Sequence, residues 1–188
     1  MPVWETCRAL APMLSTVDLT AVIDFAVTGD RGRNPLSSFV ELDAFLLSTA
    51  RSRGIAPVRR ARRLARRGAW SRPESCLRLL VLRAGIPEPE LNMPLAHPSG
   101  RKLIPDLAWP EYRVAAEYNG AHHDEQDQRV HDLRRVDDFL DIGWTTVNIE
   151  RKELFQHPDS AVARITRRLA ERGWVPPPRL LSAKSASW

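Results

Sequence analysis

Asp106 and Glu117 bracket the stretch IPDLAWPEYRVAAEYNGAHH, Ile104 to His123. Pro110-Glu111 has turn composition between two apolar runs. Leu103–Trp109 and Tyr112–Glu117 are therefore expected to pair as an antiparallel hairpin. In the register that sets Trp109 opposite Tyr112, Asp106 faces Ala115 and Glu117 is its diagonal neighbour on the same face. Two carboxylates converging on one face are unfavourable unless a cation lies between them. Mg²⁺ or Mn²⁺ suits such oxygen ligands and keeps positions for water and phosphate. A bound ion of that kind acidifies an attacking water and neutralises charge on a phosphoryl group. A register slip of one residue would put the two acids on opposite faces.

Neighbouring residues extend this candidate site, and each has a plainer reading beside the chemical one. Glu74 lies three residues after Ser71, which is capping-box spacing, so it is a helix cap, a metal ligand or both. Asn119-Gly120 is a turn dipeptide, and Asn119 also follows Glu117 by two residues. His122 and His123 are loop histidines, a zinc pair or a candidate base. Asp132 and Arg135, three apart on an expected helix, are a surface ion pair or part of the site.

Charge is concentrated in one place. The chain has 188 residues and a formal net charge of +5. Nine arginines lie between Arg51 and Arg72, and no acid occurs between Asp43 and Glu74. Without those nine, the remainder holds 19 basic against 23 acidic residues. Arg59, Arg60, Arg62, Arg63, Arg66 and Arg67 are thus candidate phosphate contacts of a DNA-binding segment, with Arg135 added from the later helix. The alternative is a solvated face in a chain that uses 25 Arg and 3 Lys.

The elements that must position these residues follow from periodicity and breakers. Helices are expected over 3–14, 17–28 and 39–50, with a basic helix over 57–67 that has Pro57 in its first turn. Residues 1–70 form a helical extension. Ser71-Arg72-Pro73-Glu74 opens a helix over 72–84. Strands are expected at about 91–95, 102–109, 112–118 and 145–149. A helix over 125–142 turns Val130, Leu133, Val136, Phe139 and Leu140 inward, and a closing helix runs over 159–172. Residues 71–174 then form one α/β (α+β) domain, with a mixed four-stranded sheet flanked by helices. Residues 175–188 are expected to be a disordered tail. Cys7 and Cys76 sit in apolar helical patterns and are expected to be buried free thiols. The N-terminus is interrupted by Glu5, Arg8, Asp18 and Asp24, so neither a signal peptide nor a membrane span is expected. The expected location is cytoplasmic.

The pattern PESCLRLL, IPDLAW, AAEYNGAHH, DLRR and GWTTVNI resembles the PD-(D/E)xK nuclease superfamily. Within it, the pattern is most similar to the group of very-short-patch-repair-like endonuclease domains of bacterial proteins. The resemblance covers roughly residues 71–158 and rests on Glu74, Asp106, Glu117, Gly120, His123, Arg135, Gly143 and Trp144. It implies a restriction-endonuclease-like fold and a Mg²⁺-dependent DNA endonuclease, active in repair or defence. Asp106, Glu117 and Glu74 would be the metal ligands, with Asn119 and His123 in the catalytic set. Asn119 departs from the pattern, because the group often carries Asp there and the wider superfamily Lys. An amide is a weaker metal ligand than a carboxylate and cannot steady a hydroxide as an ammonium does.

Two functions follow for the sheet domain. One is a metal-dependent endonuclease on DNA. The other is a weakened nuclease-fold module that holds nucleic acid or a protein partner without cutting. A docking or regulatory role for the N-terminal helices is a third.

Overall fold

The computed structural model describes residues 2–120 and 134–177. The chain forms two compact units, and the division falls inside one helix, between Leu79 and Leu80.

The first unit is helical: α1 (Val3–Leu10), α2 (Thr16–Thr28), α3 (Phe39–Ser48), α4 (Ile55–Leu64) and the start of α5 (Arg72–Arg83). Local sequence sets the helix starts. Ser15 accepts the Asp18 N–H ahead of α2, and Ser38 and Glu41 form a reciprocal capping box on α3. Gly29 ends α2 at φ 75°, and a Cβ there would lie 1.9 Å from the Arg33 carbonyl oxygen. Only glycine fits that turn. Trp4, Leu19, Ile23, Leu42, Val58 and Ala61 lie in one buried cluster. Cys7 and Cys76 are buried and free, as expected.

α1, α3 and the basic helix all end earlier than expected. α1 stops at Leu10, since Pro12 has no N–H to continue it. The basic helix ends at Leu64 rather than at 67, because Ala65 turns to extended backbone. The next N–H, that of Arg66, goes to Asp24 Oδ1 at 2.7 Å. Asp24 Oδ2 accepts from Ser75 Oγ at 2.7 Å and from Arg78 Nη2 at 3.1 Å. Arg78 also donates to the Leu64 carbonyl at 2.8 Å. Both charged side chains are fully buried. One acid of α2 thereby ends α4 and fixes α5. Burial raises the Asp24 pKa, against the lowering by Arg78's charge and by hydrogen bonds from Ser75, Arg66 and Arg78.

The second unit is mixed α/β. Its four-stranded sheet has the order β1 (Glu90–Leu91), β4 (Leu107–Trp109), β5 (Val114–Asn119), β6 (Thr145–Glu150). The first two pairings are antiparallel and the last is parallel. A separate ribbon pairs β2 (Leu95–Ala96) with β3 (Lys102–Leu103). The mixed sheet is the expected one, but two expected strands are each split. β1/β4 and β2/β3 share a single register, so they are two halves of one interrupted hairpin. Pro94 and Pro105 lie in the gap, where neither can donate to a ladder. Asn92, at φ 47°, still donates to the Asp106 carbonyl there.

Helix α6, described over 134–141, lies in the crossover that parallel strands require. It ends in a Schellman motif: Trp144 N–H reaches the Phe139 carbonyl and Gly143 N–H the Leu140 carbonyl. Phe139 is buried with Ala108, Ala115 and Trp144. Leu140, expected inward, is 56% exposed, because α6 turns Arg135 and Phe139, four apart, to the sheet. α7 (Arg151–Gln156), not anticipated, follows β6 directly, and α8 (Pro158–Glu171) closes the unit one residue earlier than expected. Among the described residues, no helix is long and apolar enough to cross a membrane.

Candidate functional site

Strand parity places the candidate residues. Leu107 pairs with Ala116 and Trp109 with Val114, so the same register carries Asp106 opposite Glu117. The expected pairing was two residues away from this. The turn is not two residues but the four-residue loop Pro110 to Arg113, with Arg113 at φ 51°. A shift of two conserves the face, so the two acids are directly opposed instead of diagonal. Asp106 Oδ2 accepts the Tyr118 N–H at 2.7 Å, capping the edge of β5 where the β4 ladder stops.

On the parallel side Glu117 pairs with Asn148 of β6. Ala115, Glu117, Asn119 and Asn148 therefore share one face, the face covered by Phe139. Tyr118 points to the other face, where its ring meets Phe155 edge-on at 6.4 Å. Asp106, Glu117, Tyr118, Asn119, Arg135 and Asn148 line a polar cleft of ≈ 210 Å³. Asn148 Oδ1 is buried there without a hydrogen-bond donor. Sequence reasoning missed Asn148. Its signal was one amide inside the otherwise β-branched run TTVNI.

The cation on Glu117 is Arg135. Its Nε donates to Glu117 Oε1 and Oε2 at 2.7 and 3.0 Å, and its Nη2 donates to Oε1 as well. Nη2 also reaches the Ile104 carbonyl at 2.9 Å. The guanidinium carbon lies 5.5 Å from the Phe139 ring centroid, within cation–π reach. Burial would lower the Arg135 pKa. Hydrogen bonds and charge from Glu117, then the charges of Asp106 and Asp138, outweigh it and the net direction is upward. The Arg135–Glu117 pair is thus internal to the site, which the surface-pair reading of this helix did not anticipate. Asp132, the other half of that reading, lies outside the described residues.

Glu74 belongs to the helical unit, where its Oε2 accepts the Trp70 N–H at 2.7 Å and its own N–H approaches Ser71 Oγ at 3.4 Å. The capping role is present, displaced one residue toward the N-terminus. His123 and His122 lie outside the described residues. Of the basic segment, Arg62 forks onto Asp43 at 2.9 and 2.8 Å and stacks on Phe39. Arg59 donates to the Leu46 carbonyl, and Arg66 to the carbonyls of Arg63 and Ala65. Arg60, Arg63 and Arg67 are the exposed members of the six.

The cleft's donor set fits a hard divalent ion: two carboxylates and an amide oxygen with no donor on it. Arg135 competes for the same Glu117 oxygens.

The chain is 30% identical over 169 residues, 89% of its length, to uncharacterised proteins of Mycobacterium tuberculosis strains H37Rv and CDC 1551. It spans about 60% of the length of these relatives. No family model and no solved structure matches.

Proposed function

We propose that the sheet unit is a divalent-metal-dependent endonuclease that hydrolyses DNA phosphodiester bonds. The observation that carries this reading is the directly opposed pair Asp106 and Glu117, in one polar cleft with the unpartnered Asn148 oxygen. Asp106, Glu117 and Asn148 would hold Mg²⁺ or Mn²⁺, which when bound supplies an acidified water and charge neutralisation at the phosphoryl group. Arg135 orients Glu117 and carries positive charge into the cleft. Its Nη1 makes none of the bonds to Glu117 or Ile104, so it is the edge suited to a phosphate oxygen. Asn119, at the end of β5, offers an amide N–H to the same phosphate. The exposed Arg60, Arg63 and Arg67 would add contacts to the DNA backbone.

A second reading is favoured by one observation, the engagement of both Glu117 oxygens by Arg135. A guanidinium already supplies the cation that the acids need, which suits a nuclease-fold module that binds nucleic acid without cutting. The test is incubation of pure protein with supercoiled plasmid and Mg²⁺ or Mn²⁺, beside EDTA and Asp106→Asn controls. Nicking that needs metal and disappears in Asp106→Asn supports the enzyme. Plasmid binding without nicking in any metal puts the binding module in its place.

A further inference from the structure

The turn between β2 and β3 carries His97, and α6 carries Asp138 and Asp141. We infer that these three side chains form a second metal site, separate from the Asp106–Glu117 cleft, for a borderline-soft divalent ion of the Zn²⁺ class. The His97 side chain is only 8% exposed, and its Nε2 is buried with no hydrogen-bond partner. That nitrogen lies 3.9 Å from Asp138 Oδ1 and 3.6 Å from Asp141 Oδ2. Both distances are too long for hydrogen bonds. Two ligand atoms each about 2.1 Å from one ion are at most about 4.2 Å apart, so an ion fits between Nε2 and either carboxylate. The three ligand atoms lie within 4.8 Å of one another. Asp141 is 67% exposed, so it is free to close the remaining gap.

The other ring nitrogen has a suitable partner. A histidine that binds metal through Nε2 must carry its proton on Nδ1 and donate it. Nδ1 lies 2.7 Å from Ser99 Oγ, which has lone pairs for both this donor and Arg101 Nε at 3.0 Å. The longer contact, Ser99 N–H to Nδ1 at 3.1 Å, belongs to the other tautomer and is given up on metal binding. Arg101 Nη2 donates to Asp138 Oδ1 at 2.6 Å, the oxygen that faces Nε2, and a carboxylate oxygen has a second lone pair for an ion. Imidazole with two carboxylates selects Zn²⁺ over Mg²⁺ or Ca²⁺, which prefer all-oxygen shells. The consequence is mechanical. An ion here ties the β2–β3 turn to α6, the helix that also carries Arg135.

The experiment is titration of the metal-free protein with Zn²⁺ alone, read by calorimetry and by melting temperature. Wild type and Asp106→Asn should both bind one Zn²⁺ at this site and melt higher with it. His97→Ala should lose the binding. Asp141→Asn, a change at an exposed side chain that leaves the fold intact, should weaken it by at least about tenfold. Co²⁺ should give a visible absorption band in wild type that His97→Ala lacks. No Zn²⁺ binding by wild type overturns the proposal, as does equal binding by wild type, His97→Ala and Asp141→Asn. Loss in Asp106→Asn alone overturns it too, by assigning the ion to the cleft.

Discussion

Arg135 engages both carboxylate oxygens of Glu117, and the same guanidinium ties α6 to the Ile104 carbonyl. Truncating it leaves Glu117, 8% exposed, without its cation. Arg135→Ala should therefore lower stability by about 1–3 kcal/mol, the cost of a charge-assisted hydrogen-bond pair that is part-exposed on one side. Arg135→Lys should recover only part, since an ammonium cannot fork onto two oxygens. Urea unfolding of the three proteins measures both.

Asp24 and Arg78 should show a larger effect, because both are fully buried. Asp24→Ala takes a buried carboxylate from Arg78 and removes the acceptor of the Arg66 N–H, at a cost of about 3–5 kcal/mol. The pH dependence has a definite sign. Burial raises the Asp24 pKa, so the folded state keeps this proton over a window where the unfolded chain has lost it. This group's contribution then falls as pH rises from the ordinary carboxyl value through the raised one. Melting curves of wild type across that window should slope more steeply downward than those of Asp24→Asn.

The hairpin that holds the acids was legible in the sequence because side-chain parity survives a two-residue error. Its register was not, since nothing local distinguishes a two-residue turn from the loop that Arg113 closes with positive φ. The mixed sheet was legible from four apolar runs, but the breaks at Pro94 and Pro105 split two of them. Arg135 was legible as one residue of the nuclease-like resemblance, but its grip on Glu117 is a contact between residues 18 apart that no spacing rule encodes. Asn148 needed the parallel register of β5 with β6, set by long-range pairing across the α6 crossover. The basic segment showed its charge, whereas its division into engaged and exposed arginines depends on Asp43, Phe39 and Leu46.

That division makes a prediction about DNA. Replacing Arg60, Arg63 and Arg67 by Ala should weaken binding to all sequences alike. It should flatten the slope of log affinity against log salt by up to about 2.7, one phosphate for each arginine. Arg62→Ala should instead cost stability, through its lost fork to Asp43 and its contact with Phe39. Fluorescence anisotropy at several salt concentrations separates the two, beside thermal melts.

Asn148→Ala should change stability by no more than about 1 kcal/mol, since its Oδ1 has no hydrogen bond to lose. It should nevertheless reduce the melting-temperature gain from Mn²⁺. Asn119→Asp should raise that gain by adding a formal charge on the same face. Melts of the three proteins with and without Mn²⁺ read both effects.

Calorimetric titration of Mn²⁺ tests the cleft itself most directly. The protein is compared with Asp106→Asn and with Arg135→Ala, all three carrying His97→Ala so that only the Asp106–Glu117 site is read. The expected result is one Mn²⁺ bound by the parent, little or none by Asp106→Asn, and binding at least about tenfold tighter by Arg135→Ala, where the competing guanidinium is gone. No binding by the parent or by Arg135→Ala, or the same isotherm in all three, would contradict a divalent-metal site between Asp106 and Glu117.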